Sequence, residues 1–272
     1  MNKAFGWGAA GVCVIAVGAV TAGAVYGVRG HGVQSMSGDT AVVVELFTSE
    51  GCSSCPPADT VLENLVQTQP VRGVHVIGLG EHVDYWNQLG WRDPFSSELL
   101  TQRQSAYATT FHNDQVYTPQ MVVQGQAEFV GSDLARAKAE ISRAATRRQA
   151  SVTIRAAQGA HAGLLSVHID VERTPAGEGA PHVFAAVIQD RLSSPVTDGE
   201  NGGRYLTHAA VVRTLRDVGT IPVSGGKSSF DADLKVDAAL PISVLQVIAF
   251  VQSPVSGRIS GAAQVSLAGI SR

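Results

Sequence analysis

Apolar residues form short unbroken runs in the first half of the chain and alternating runs in the second, and that change of period divides it. Residues 41–47 and 74–79 are near-continuous apolar runs rich in valine, which predict buried strands. Pro56 opens a helix-like segment reaching about residue 67, a position where the missing N–H would be unpaired anyway. Residues 96–111 predict a second helix capped by Ser96, and residues 132–147 a third, capped by Ser132-Asp133. Between them lie a strand at 120–124, a turn at Gly125 and a short strand at 128–130. Residues 81–94 show no clean period and are dense in aromatics, so they read as a functional or packing loop. After about residue 150, segments at 151–155, 164–171, 182–189, 235–236 and 244–252 alternate apolar and polar positions. Gly/Pro/Asp-rich turns separate them, which predicts an antiparallel β-sandwich with no long helix. Residues 174–181 are a low-complexity turn between two of those strands.

Composition narrows the class. With 272 residues, 44% of them hydrophobic and 16% charged, the chain is globular and long enough for two domains. A net charge of -3 without a dense basic stretch gives no footprint for nucleic acid. Lys3 precedes residues 5–28, which carry no acidic residue, and Ala22-Gly23-Ala24 fits a signal-peptidase site. Residues 1–38 therefore read as a secretory signal peptide plus spacer, or as an uncleaved membrane anchor, since the run is long enough to span a bilayer. Either reading places the folded part in the periplasm or outside the cell, where disulfides persist. The anchor is the only membrane contact expected.

Three cysteines are present, and Cys13 falls inside the N-terminal run. The remaining pair, Cys52-Ser53-Ser54-Cys55, sits at a predicted strand-to-helix junction. There the partial positive charge and free N–H groups of a helix N-terminus favour a thiolate, the species that attacks disulfides. Ser53 and Ser54 can donate hydrogen bonds to it, while Glu50 opposes it as a like charge, so a moderately lowered pKa is expected for Cys52. A static bridge is the plain alternative, yet one closing so few residues constrains the unfolded chain little. Zinc needs about four ligands, and neither a second CxxC nor a His-x₃₋₅-His pair supplies them, so no metal is assigned. Copper held by Cys52, Cys55 and His82 stays as a variant.

Other residues carry weaker signals. His82 and Asp84 stand where a loop leaves the second strand, placed to relay a proton to Cys55 or to hold a substrate. The plain alternative is an aromatic loop in which Tyr85, Trp86 and Trp91 cover apolar surface. Arg204, His208 and Arg213 read as a loose, solvated basic set. Asp198, Glu200 and Asn201 lack the spacing of a calcium loop.

The order β-α-β-α-β-β-α, with CxxC at the first helix and Thr118-Pro119 before a later strand, resembles the thioredoxin-like fold. That resemblance implies a cis Pro119 shaping a peptide groove, a Thr118 backbone that pairs with substrate, and a first cysteine more exposed than the second. It also makes Glu45 a candidate for the buried carboxylate near the dithiol. More closely, the chain resembles the DUF1223 family of secreted proteins. The likeness rests on Glu45 to Asp59, on His82-Val83-Asp84-Tyr85-Trp86 and Gly90-Trp91-Arg92-Asp93-Pro94-Phe95, and on Tyr117-Thr118-Pro119-Gln120. Gly199-Glu200-Asn201-Gly202 and the segment Leu206 to Arg213 extend it.

The expected fold is thus a thioredoxin-like α/β domain at 41–148 followed by an all-β, sandwich-like domain at 150–272. The expected function is exchange of disulfides with other exported proteins or peptides. Cys52 attacks, Cys55 resolves, Pro119 and His82 assist, Thr118 and Trp86 meet the substrate, and no organic cofactor is needed. The competing reading is a non-enzymatic binding module whose disulfide is structural.

Overall fold

The computed structural model describes residues 33–34, 40–175, 179–223 and 226–268. The expected signal or anchor segment, apart from residues 33–34 of its spacer, and residues 176–178 of the turn expected at 174–181 lie outside these residues.

Within the first half the predicted elements form in the predicted order. Strand β2 (Thr40–Thr48) leads to α1 (Pro56–Thr68), β3 (Val74–His82), α2 (Glu98–Phe111), β4 (Gln120–Val123), β5 (Ala127–Val130) and α3 (Leu134–Ala145). Before them, β1 (Val33–Gln34) occupies part of the expected spacer and pairs with β6 (Ser151–Gln158). The α2 cap sits one residue beyond the expected Ser96, while the α3 cap falls within the expected Ser132-Asp133. Ser97, not Ser96, accepts the Leu100 N–H at the start of α2, and Asp133 accepts the Arg136 N–H at α3. In α1, Ala58, Val61, Leu62 and Leu65 recur at helical spacing and face the sheet.

The second half adds β7 (Leu164–Glu172), β8 (His182–Gln189), β9 (Leu192–Pro195), β10 (Tyr205–His208), β11 (Val211–Thr220), β12 (Ser228–Lys235), β13 (Leu245–Gln252) and β14 (Ile259–Ser266). Here the expectation of two consecutive folds, thioredoxin-like and then all-β, is overturned. The structure is mostly β, and eight strands from both halves form one mixed sheet in the order β14-β13-β8-β11-β3-β2-β4-β5. A smaller sheet, β1-β6-β7-β12, packs on the second-half part of it around Ile154, Leu165, Ile169, Val187 and Val247. A sandwich therefore exists, but its larger sheet continues into the first half.

The seam is local. β11 runs parallel to β3 and meets it at one register pair, Val211 with Gly80, and the Gly80 N–H donates to the Ala210 carbonyl at 2.7 Å. A Cβ on Gly80 would stand 2.8 Å from the Ala209 carbonyl oxygen, so the approach of the two halves requires glycine there. One hydrophobic cluster crosses the seam, joining Val43, Ile77 and Leu79 to Ala186, Ile188, Ile248 and Phe250. On the other face of β2 and β3, Val42, Val44 and Val76 pack with α1 and α3. The fold thereby brings the carboxyl ends of β2 and β3 beside the β9–β10 hairpin, a separate two-stranded sheet.

Candidate functional site

Cys52 and Cys55 are joined as a disulfide at the N-terminal end of α1, with a Cα–Cα separation of 5.4 Å. Cys55 is the N-cap residue, and the N–H groups of Ala58 and Asp59 donate to its carbonyl. Both cysteines are fully buried (0% exposed), which corrects the expectation of an accessible Cys52. Exposed Ser53 and Ser54 lie above them, with Ser54 Oγ 3.4 Å from Cys52 Sγ.

The cover comes from the second half of the chain. Asn201, at the tip between β9 and β10, is buried and donates from Nδ2 to the carbonyls of Glu50 (2.8 Å) and Cys52 (3.0 Å). Arg204 fixes the same amide by donating to its Oδ1 at 2.7 Å. Glu200 accepts the Ser53 N–H at 2.9 Å, a contact that holds its carboxyl below the usual range. The loop before α2 closes another side, because Trp91 packs beside Gly199 and donates its indole N–H to Glu50 at 2.7 Å.

Beneath the cover lies a cluster of buried charge. Glu50 accepts from Trp91, from Ser194 and from His208, whose Nε2 is 3.2 Å away. His208 reaches toward Asp59 on α1 as well, with Nδ1 at 3.7 Å from Oδ2. Burial alone would lower the His208 pKa, but the carboxylates of Asp59 and Glu50 more than offset it and push it up to about 9. Burial would raise Glu50, yet its hydrogen bonds from His208, Ser194 and Trp91 hold it below the usual carboxylate range. His208 is thus no solvated surface group, as first read, but an almost fully enclosed cation.

His82 sits at the end of β3 and pairs through Nδ1 with Asp93 at 2.7 Å. Asp93 also accepts the N–H groups of Glu50 and Phe95, and burial fails to raise its pKa because His82 and these donors lower it. The rings of His82 and His208 meet edge to face, with centroids 4.7 Å apart. His82 therefore joins the cluster. Asp84 does not: its carboxylate accepts from Thr101 on α2.

Thr118–Pro119 is a cis peptide, as the resemblance implied. Trp86 donates its indole N–H to Thr118 Oγ1 at 2.9 Å and packs its Cβ close to Gly51, linking this turn to the residue before Cys52. Glu45 is not beneath the dithiol. Strand alternation turns it away from α1, whose side Val44 and Leu46 occupy, and toward α2, where it binds Arg103 and Tyr107. No set of three or more His, Cys, Asp or Glu side chains among the described residues could hold a metal ion, so the copper variant finds no ligand cluster.

Sequence reasoning missed Asp59, Asp93, Asn201 and the burial of Glu50 and His208. For His208 a signal existed: in β10 burial alternates, with Leu206 and His208 inward and Tyr205 and Thr207 outward.

Residues 43–252 match the family described as "Protein of unknown function (DUF1223)", and the chain belongs to it. No curated protein matches the chain. Among solved structures it is similar to protein AGR_C_4864 from Agrobacterium tumefaciens, known from its X-ray crystal structure. That likeness has 27% identity over 87% of this chain and 98% of that one, with a TM-score of 0.66. It is also similar in fold to HBP35 of Porphyromonas gingivalis, at 18% identity over 86% of this chain and 77% of that one, with a TM-score of 0.62.

Proposed function

We propose that this is an exported thiol–disulfide oxidoreductase that exchanges disulfides with other extracytoplasmic proteins through Cys52 and Cys55. The observation that carries the reading is the bridge itself: it joins residues three apart at the N-terminal end of α1. So small a ring stabilises a fold little, whereas a helix N-terminus favours the thiolate that exchange requires.

In the oxidising direction, a substrate thiolate attacks Cys52 Sγ. The Cys52–Cys55 bond breaks, a mixed disulfide forms, and Cys55 leaves as a thiolate that takes up a proton. A second substrate thiolate then displaces Cys52, which takes up another. The substrate has lost two electrons and the pair has gained them; reduction is the reverse.

Burial of both sulfurs sets a condition: the hairpin tip at residues 196–204 must lift before a substrate reaches them. Its hold on the cysteine loop is polar, through Asn201 and Glu200, and each such bond is worth about 1 kcal/mol. Asn201→Ala is therefore expected to speed opening of the bridge by glutathione roughly tenfold, read by alkylation and mass.

The same burial favours a second reading, a binding module in which the bridge only pins the loop. Full-length Cys55→Ser mixed with glutathione disulfide separates the two. The exchange reading predicts one glutathione on Cys52 in the native protein; a Cys52 that reacts only after unfolding supports the static bridge.

A further inference from the structure

We propose that His208 stores the proton that Cys55 takes up when the bridge opens and delivers it through Asp59. The inference rests on the exchange reading above. A thiolate left on Cys55, which the closed fold buries fully, is unfavourable, and an acid held beside it in the fold can neutralise it as the bond breaks.

Asp59 is the acid nearest in the chain to Cys55 on its own helix. The Asp59 N–H donates to the Cys55 carbonyl at 3.1 Å, so the two stand one helical turn apart, on one face. Asp59 is buried although it belongs to a helix, and the basic group that faces it is His208, carried by β10. His208 Nε2 is anchored by Glu50, while its Nδ1 makes no hydrogen bond and lies 3.7 Å from Asp59 Oδ2. Glu50 is itself saturated by Trp91 and Ser194, which keeps it a carboxylate and keeps His208 charged at neutral pH.

The groups facing His208 are Glu50 from the loop after β2, Asp59 from α1 and His82 from β3, with Asp93 behind His82. When the S–S bond breaks, its electron pair stays on Cys55 Sγ. Asp59 passes a proton to that sulfur as it receives one from His208, which becomes neutral. In the return step Cys55 loses the proton as it attacks the mixed disulfide, and His208 recovers it. Asp59 and His208 act on sulfur alone, so the relay serves any substrate disulfide.

The test is the rate at which dithiothreitol opens the bridge in the full-length protein between pH 5 and 10, divided by the concentration of reductant thiolate. The wild-type rate constant is expected to hold to about pH 9 and to fall above it, as His208 loses its proton. His208→Gln is expected to be at least ~10-fold slower and flat with pH, and Asp59→Asn slower by a similar factor. A wild-type profile with no break near pH 9, or a folded His208→Gln that keeps the wild-type rate and profile, overturns the relay. If dithiothreitol opens the native wild-type bridge at no pH, the exchange reading itself fails, a result distinct from either.

Discussion

Replacing Arg103 by methionine is expected to destabilise the fold by about 3–5 kcal/mol, measured as a fall in the urea midpoint, because it strands two buried carboxyl groups without their cation. Arg103 Nε and Nη2 reach Glu45 Oε1 at 2.7 and 2.5 Å, and Nε lies 3.4 Å from Glu81. Tyr107 donates its hydroxyl to Glu45 Oε2 at 2.5 Å, and Gln252 supports both Tyr107 and Arg103. The guanidinium lies over the rings of Tyr107, Phe184 and Phe250, so the cation is enclosed by aromatic faces. Two acids share one positive charge here. Burial, and then the Glu45 carboxylate, push the Glu81 carboxyl well above its usual range, so Glu81 is the more readily protonated of the two acids. Glu81→Gln is therefore expected to cost less stability than Glu45→Gln, which removes the carboxylate that Arg103 binds most closely and destabilises by several kcal/mol, on the order of a broken buried pair. Equal effects of the two substitutions would contradict the assignment.

Stability is expected to fall as pH rises from about 6.5 to beyond 9, through His208. Its pKa is raised in the fold to about 9 from 6.5, so its contribution is complete below 6.5 and is lost as the folded group deprotonates. A shift of that size corresponds to roughly 3 kcal/mol, the second large effect in the molecule. Glu81 acts in the same direction, since a raised carboxyl favours the fold below 4.5 and loses that contribution as pH rises. Glu50 and Asp93 act oppositely. Their lowered values add stability above 4.5 and 3.8, which is lost as pH falls through the folded values. Urea midpoints measured from pH 2 to 10 on the oxidised protein should therefore fall at both ends. His208→Gln should flatten the alkaline limb; a limb that persists unchanged would assign it elsewhere.

The elements of the first half were legible because local rules decided them. The valine runs of β2 and β3 are dense enough to predict buried strands, and Pro56 with the apolar spacing of residues 58, 61, 62 and 65 defines α1. The dithiol followed from spacing alone. Assembly was not legible. β11 shows no clean alternation and is absent from the strands the sequence predicts, and its parallel seam with β3 rests on one register pair and on a glycine whose missing Cβ marks no partner in the sequence. The site failed for the same reason. Glu50 and Asp59 look like solvated charges until β10 delivers His208, some 150 residues later, and Asn201 looks like a turn residue until its amide meets the cysteine loop. Residues that are charged in isolation become buried only because both halves close over the same sheet edge.

The central claim is that this enclosed bridge opens and closes within the native fold. The most direct measurement equilibrates the full-length protein in glutathione buffers of graded potential, blocks free thiols and quantifies the Cys52–Cys55 bridge by mass, with circular dichroism recorded on the same samples. A reversible transition between bridged and reduced forms, approached from either side without loss of structure, is the predicted result. A bridge that stays closed across the series and yields only as the protein unfolds would contradict it, and would make the disulfide a fixed clasp.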